Sequence, residues 1–142
     1  MNDLVQWLGE QFDEDQRIAE AAPRGPWSMD DAGSIADADG TRVILAVGTT
    51  LDGRVSRWPE PPTVASVTAW DPARVLRETE AKRQIMECHE SWVADNGDII
   101  CGRCGREHID GRPGGHFPCQ TLRLLALPYT DRPGYREEWR PS

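Results

Sequence analysis

Hydrophobic residues recur at helical spacing near the start of the chain. The apolar members of this pattern are Leu4, Val5, Leu8 and Phe12. Acidic residues fill the opposite side, so residues 1–22 are predicted to form an acidic amphipathic segment that is helical from residue 3. Asn2 or Asp3 can cap the helix, and the prolines at 23 and 26 end it.

Three short apolar runs further along have the residue types of β-strands. They span residues 41–47, 54–58 and 63–69, and each contains β-branched or aromatic residues. Asp52-Gly53, which precedes the second run, is a typical hairpin turn. We therefore expect a small antiparallel sheet of three or four strands within residues 41–69, after a turn-rich segment at 28–40.

Asp71 and Pro72 mark the clearest helix start in the chain, because aspartate caps helices and proline is favoured at the first helical position. The helix is predicted to cover residues 71–94 and to be closed by Asn96-Gly97. At about 100° per residue, one face of this helix turns towards the core. The residues on that face are Val75, Thr79, Met86 and Val93.

Leucine is concentrated in residues 118–128, which predict a short buried helix that ends at Pro128. In the tail, Tyr135 and Trp139 indicate one more helical turn. The predicted fold class is therefore α+β. Its elements are an N-terminal helix, a small antiparallel sheet of three or four strands, a long central helix, a zinc knuckle and a short C-terminal buried helix.

Composition suggests one domain over residues 1–142 that gains from an internal crosslink. A chain of 142 residues has the usual length of one domain. Only 38% of its residues are hydrophobic, and 13 glycines and 11 prolines imply much turn and loop. A core built from such a composition is small, so a metal or disulfide crosslink would contribute substantially to stability.

A zinc knuckle within residues 98–128 is the predicted crosslink. Cys101 and Cys104 are separated by two residues, the spacing with which one tight turn supplies two thiolates to zinc. Cys119 follows at the expected start of the last helix, whose positive end favours a thiolate. Gly102 and Gly105 let the turn curl around the metal. Structural Zn²⁺ is the cofactor that this spacing predicts.

The fourth ligand must come from outside the knuckle. His89 is the predicted one, because it lies about 40° from the core face of the long helix, whereas Cys88 lies about 140° away. Cys88 would instead complete a four-cysteine site, since helix ends fray. His108 and His116 are also within range, but both lie in predicted loops. The predicted metal ligands are thus His89, Cys101, Cys104 and Cys119, with no catalytic residue assigned.

Charge and localisation signals restrict the partners of the chain. Residues 1–40 carry ten acidic and two basic side chains, which equals the whole net charge of −8. This acidity disfavours nonspecific nucleic-acid binding and can form either a solvated helix face or a docking surface for a basic partner. We expect no secretory signal and no membrane span. A cytoplasmic location, where thiols stay reduced, follows from that expectation.

Long stretches of the chain resemble an actinobacterial family, also carried by actinobacteriophages, known as domain of unknown function 6221. The matching segments are 3–5 with 13–15, 25–27, 71–77 with 80–83, Cys101 with Cys104, 118–119 with 121–129, and 135–141. The resemblance implies that His89 is the fourth ligand, since members usually carry a histidine there. Many members also have a histidine where this chain has Trp70. No activity is implied by the resemblance.

Three functions are compatible with these residues. The preferred one is a non-catalytic, zinc-stabilised interaction module with an unidentified protein partner, such as a phage or mobile-element accessory protein. The second is a nucleic-acid-binding knuckle, in which Arg103, Arg106 and Arg112 grip phosphate. The third is a zinc enzyme, with Glu90 as the proton shuttle of a deaminase or His108 in an HNH-like nuclease. The deaminase signature needs a second cysteine at position 122, which is leucine.

Overall fold

The structure is a computed structural model that describes residues 2–51, 54–105 and 116–141. Within these residues the chain has four α-helices and seven short strands. The helices are α1 (Asp3–Ala21), α2 (Pro61–Ala69), α3 (Pro72–Cys88) and α4 (Gln120–Ala126). Short 3₁₀ turns follow at Leu127–Tyr129 and Glu137–Trp139. The predicted α+β class is confirmed, as are the first helix and the extra turn in the tail.

The strands form three small antiparallel sheets within the described residues. They are β1 (Ser28–Met29), β2 (Ile35–Ala36), β3 (Arg42–Ile44), β4 (Val47–Leu51), β5 (Arg54–Trp58), β6 (Ser91–Val93) and β7 (Ile99–Cys101). The first sheet has the order β1-β2-β3, and β4-β5 and β6-β7 are two-stranded. The predicted single sheet within residues 41–69 is therefore wrong in its extent. Asp52-Gly53, the predicted hairpin turn, lies outside the described residues.

The segment predicted as a third strand is a helix. Residues 63–69 belong to α2, in which only Val64 is buried among the described side chains. The helix begins at Pro61 and Pro62, whose rings fix φ near the helical value and whose missing N–H groups have no helical partner in the first turn. The β-branched residues that suggested a strand are compatible with a short helix, since their helix propensity is only modestly lower.

The central helix ends six residues earlier than the predicted residue 94. After Cys88 the chain turns, and the backbone N–H of His89 donates to the carbonyl of Met86. Residues 91–93 then form β6, and Val93 is 74% exposed instead of facing the core. The physical reason is Asn96-Gly97. It forms the turn of a β-hairpin here, so the residues before it are a strand and not a helix end.

One turn design recurs three times among the residues that the structure describes. The turns cover residues 30–34, 37–41 and 94–98. In each, the first N–H donates to the fifth carbonyl and the fourth N–H donates to the first carbonyl, with N–O distances of 2.8–3.0 Å. The fourth residue is a glycine with φ between 80° and 87°. This is the three-residue hairpin with a glycine bulge, and the first residue of the turn is aspartate in two cases and Ala94 in the third.

The chain divides into two compact units. The first comprises residues 1–14 and 80–142, and the second comprises 15–79. The first unit contains a continuous hydrophobic core in which side chains of α1 and α4 are fully buried. The buried residues of this core are Leu4, Trp7, Leu8, Phe12, Cys101, Cys119, Leu122, Ala126, Tyr129 and Trp139. Two of the predicted zinc ligands are thus core residues.

In the second unit, a buried carboxylate connects two segments of the chain. Asp71 is 6% exposed, and its two oxygens accept hydrogen bonds from different segments. One oxygen accepts the N–H of Trp27 at 3.0 Å, and the other accepts the N–H of Arg74 at 2.8 Å. Asp71 therefore caps α3, as predicted, and also fixes the Gly-Pro-Trp segment. Among the described residues, no helix is both long and apolar enough to cross a membrane.

Candidate metal centre

Four side chains with metal-binding chemistry converge in the first unit. His89 is the first residue after α3, Cys101 is the last residue of β7, and Cys104 lies in the turn that follows. Cys119 is the residue immediately before α4, with an extended backbone at φ −73° and ψ 168°. The four donor residues therefore lie at the ends of helices and strands or in the turns next to them, where their side chains can face a common point.

The donor atoms of these residues lie close together. One atom from each of His89, Cys101, Cys104 and Cys119 is within 4.8 Å of the other three. The Nδ1 atom of His89 is 3.4 Å from the sulfur of Cys101, 3.5 Å from that of Cys104 and 3.4 Å from that of Cys119. One ring nitrogen therefore faces all three sulfurs.

These distances can be compared with those around a tetrahedral metal. Zinc bonds of about 2.3 Å to sulfur and about 2.1 Å to nitrogen, at tetrahedral angles, place the two donor types about 3.6 Å apart. The three nitrogen–sulfur distances differ from that value by only one or two tenths of an ångström. The four residues therefore fit a single metal ion.

The electrostatics of the centre also favour a cation. Burial, and then the charge of Cys119 and a hydrogen bond with Cys101, raises the pKa of the Cys104 thiol to about 12. Thiolates as close as these repel one another, so they coexist only if a positive ion compensates for their charge. None of the four cysteines of the chain forms a disulfide. The predicted disulfide alternative is thus not adopted.

Packing fixes the knuckle in place. Cys101 is 0% exposed and Cys119 is 5% exposed, and both belong to the core. A Cβ atom on Gly102 would lie 2.8 Å from the Trp92 ring, so the turn passes directly beneath that side chain. Neither Gly102 nor Gly105 has a positive φ. Close approach, not the predicted backbone curl, is what requires glycine at position 102.

The other candidate ligands do not join the cluster in the described part of the chain. Cys88 is exposed, and His116 is exposed and forms a β-bridge with Ile100. His108 lies outside the described residues. The helical projection that favoured His89 over Cys88 requires a helix through both residues, but α3 ends at Cys88. His89 reaches the sulfurs from a turn, which a helical projection does not represent.

The residues required by the deaminase and phosphate-binding hypotheses give these hypotheses limited support. Leu122, at the position where a deaminase needs a cysteine, is fully buried in the core. Arg103 is exposed beside the knuckle. Arg106 and Arg112, the other members of the predicted phosphate-binding set, lie outside the described residues.

Sequence reasoning missed the cavities that flank the centre. One has a volume of about 350 Å³ and is lined by His89 itself, by Val5, Met86 and Phe117, and by two glutamates. Of Glu87 and Glu90, only Glu90 had a predicted functional role, as the proton shuttle of a deaminase. Their proximity to Val5 depends on the packing of α1 near the end of α3, for which the sequence carries no local signal.

Comparison with known proteins identifies a family whose function is unknown. The family model described as a family of unknown function (DUF6221) matches residues 1–141. No curated protein and no solved structure matches the chain. Since the family model covers almost every residue, the chain belongs to this family of unknown function, DUF6221.

Proposed function

We propose that this protein is a non-catalytic interaction module whose first unit is stabilised by one structural zinc ion. The observation that supports this most is the cluster of one imidazole nitrogen and three sulfurs within 4.8 Å of one another. The ligands are His89, Cys101, Cys104 and Cys119. A phage or mobile-element accessory role is part of this proposal and is compatible with the resemblance, and a cytoplasmic location is the one expected from the sequence.

Donor chemistry selects zinc. Three thiolates and one imidazole are soft or borderline ligands, which suit zinc and exclude magnesium and calcium as good occupants. Three cysteines with one histidine is one of the usual ligand sets of structural zinc. The tight Cys101–Cys104 turn and the separation of the other two ligands in sequence follow the usual arrangement of such sites.

A closed coordination shell favours a structural role over catalysis. Catalytic zinc sites keep a position for water or substrate, whereas structural sites fill all four positions with protein ligands. Here four protein donors surround one point, and two of them are core residues. The metal would connect the end of α3, the β6–β7 hairpin and the start of α4.

Surface composition supports binding of a partner. The β6–β7 hairpin beside the centre exposes the cross-strand pair Val93 and Ile99 on one face and Trp92 on the other, each by more than half of its surface. Neighbouring exposed apolar side chains of this kind are more typical of interaction surfaces than of surfaces that only face water. The hairpin is short, and the proposed zinc ion would hold it rigid for binding.

Metal content of variants tests the proposal. The freshly purified protein should contain one zinc per chain by inductively coupled plasma mass spectrometry. His89→Ala should lose most of that zinc, and Cys88→Ala, the matched control from the neighbouring exposed position, should retain it. Zinc retained by His89→Ala and lost by Cys88→Ala would contradict the ligand set, and wild-type protein without zinc would contradict the function.

A further inference from the structure

A pocket beside the metal centre has a distinctive combination of surfaces. It has a volume of about 350 Å³, at the lower end of the range for ligand pockets. Val5, Met86 and Phe117 supply its apolar lining, and all three pack against the core of the first unit. This lining is therefore anchored, and an aliphatic chain that enters the pocket finds an apolar surface already in place.

The charged groups of this pocket have one sign. Glu87 and Glu90 are its acidic lining residues, and both are exposed. No lysine or arginine lines the pocket among the described residues. In that part of the chain, neither carboxylate has an ion-pair partner, unlike Glu78, Glu137 and Glu138, which are paired with arginines. The pocket therefore combines an apolar wall with two uncompensated negative charges.

We propose that this pocket receives an arginine side chain from an extended segment of a partner protein. The aliphatic part of arginine is buried readily on apolar surface while its charged end stays near water and carboxylates. Its planar guanidinium pairs with carboxylates and stacks on aromatic rings, and Phe117 provides such a ring.

A second groove provides space for the rest of the segment. It has a volume of about 630 Å³ and shares Asn2, Ser91 and Phe117 with the pocket. Arg123 and Arg136 line this groove, so it is not uniformly acidic. The pocket and the groove therefore adjoin, and chain flanking the inserted arginine can extend from one into the other. This continuity favours a protein segment over a free amine as the occupant.

Charge complementarity extends to the whole unit. Residues 1–14 and 80–142 carry fourteen acidic and nine basic side chains, a net charge of −5. A basic segment is thus attracted over the whole unit before it reaches the pocket, and the attraction weakens with added salt.

The inference rests on the proposed function, because the predicted zinc ligand His89 is also part of the pocket wall. Its Nδ1 atom faces the cysteines, which fixes the orientation of the ring. Zinc bound to that nitrogen would hold the wall in place, so the pocket should require the metal-loaded protein.

The test is a titration of the zinc-loaded full-length chain with the peptide acetyl-Ala-Ala-Arg-Ala-Ala-amide, followed by ¹H–¹⁵N NMR. We expect saturable shifts centred on Val5, Met86, Glu87 and Phe117. The same peptide with citrulline, which keeps the shape of arginine without its charge, should bind at least tenfold more weakly. Equal binding of both peptides, or the absence of saturable shifts at these residues, would overturn the proposal.

Matched charge variants separate the pocket from general acidity. The double variant Glu87→Gln and Glu90→Gln should weaken binding at least tenfold. The control variant Glu80→Gln and Asp95→Asn removes the same number of charges, at positions outside the pocket lining. It should change binding less than twofold. Equal losses in both variants would refute an arginine-specific docking pocket. Binding of free argininamide as tight as that of the peptide would refute an extended protein segment as the occupant.

Zinc content measured on the same samples distinguishes the two proposals. Full zinc content without peptide binding refutes the pocket and leaves the proposed zinc site intact. Absence of zinc refutes the proposed function regardless of what the peptide does.

Discussion

The glycines at positions 9 and 134 lie in different environments, which differ in the space available for a Cβ atom. Gly9 lies inside α1, and a Cβ atom there would meet nothing within 4 Å. Gly134 has φ +85°, and a Cβ atom there would lie 2.9 Å from Nε1 of Trp7. That nitrogen donates a hydrogen bond to the carbonyl of Pro133, so it is not easily displaced.

Alanine substitutions at these two glycines should therefore change stability in opposite directions. Gly9→Ala should raise the free energy of unfolding by about 0.5–1 kcal/mol, because alanine has a higher helix propensity. Gly134→Ala should lower it by about 1–3 kcal/mol, because alanine is strained at positive φ. Urea denaturation of both variants checks the prediction, and a change of the same sign in both would contradict the two environments.

Removal of the Asp71 carboxylate should cost more than removal of an exposed one. Asp71→Ala leaves the N–H groups of Trp27 and Arg74 without their acceptor, so we expect a loss of about 1–3 kcal/mol. Asp39→Ala breaks a solvent-exposed ion pair with Arg24 and should cost at most about 1 kcal/mol. Thermal denaturation of the two variants should give clearly different midpoints, and similar midpoints would show that the Asp71 hydrogen bonds contribute little.

At the level of elements, α4 provides a comparison between two leucines in one short helix. Leu122 is 0% exposed in the core and Leu124 is 50% exposed. Leu122→Ala should therefore destabilise the protein by about 2–5 kcal/mol, through lost burial and the cavity that remains. Leu124→Ala should change stability by less than about 0.5 kcal/mol. Denaturant titration gives both values, and comparable losses at the two positions would mean that the described orientation of α4 is wrong.

Elements with clear local signals could be predicted from the sequence. The acidic helix is an example, since Leu4, Leu8 and Phe12 are fully buried at the predicted spacing. The capping role of Asp71 is another. Residues 63–69, which belong to the helix that begins at Pro61, and residues 91–93 were assigned incorrectly because short apolar runs do not distinguish helix from strand. Proline at the start of that helix and the Asn-Gly turn after residues 91–93 carried the information that was missed.

The candidate site was easier to predict than the fold around it. Two cysteines in one tight turn are local in sequence, and a third at a helix start follows from simple chemistry. His89 and Cys88 are adjacent, and their different directions depend on where α3 ends. α3 ends at Cys88 because the chain continues into the hairpin whose turn is Asn96-Gly97, whereas the predicted helix ran through both residues. The pocket depends on α1 as well, and no sequence pattern indicated it.

For the whole molecule, loss of the metal should affect the first unit most. Structural zinc sites contribute on the order of 10 kcal/mol, which is similar to the total stability of an average domain. Chelation should therefore unfold residues 1–14 and 80–142, as measured by hydrogen exchange with mass spectrometry. Residues 15–79 contain none of the four proposed ligands and should keep more of their protection. Uniform loss of protection would instead support the predicted single domain over residues 1–142.

X-ray absorption spectroscopy at the zinc edge tests the central claim most directly. The wild-type protein should give a first shell of three sulfurs at about 2.3 Å and one nitrogen at about 2.0–2.1 Å. Such a shell is the one expected from His89 with Cys101, Cys104 and Cys119. A shell of four sulfurs would place Cys88 in the site instead of His89, and a shell dominated by oxygen would contradict a closed structural centre.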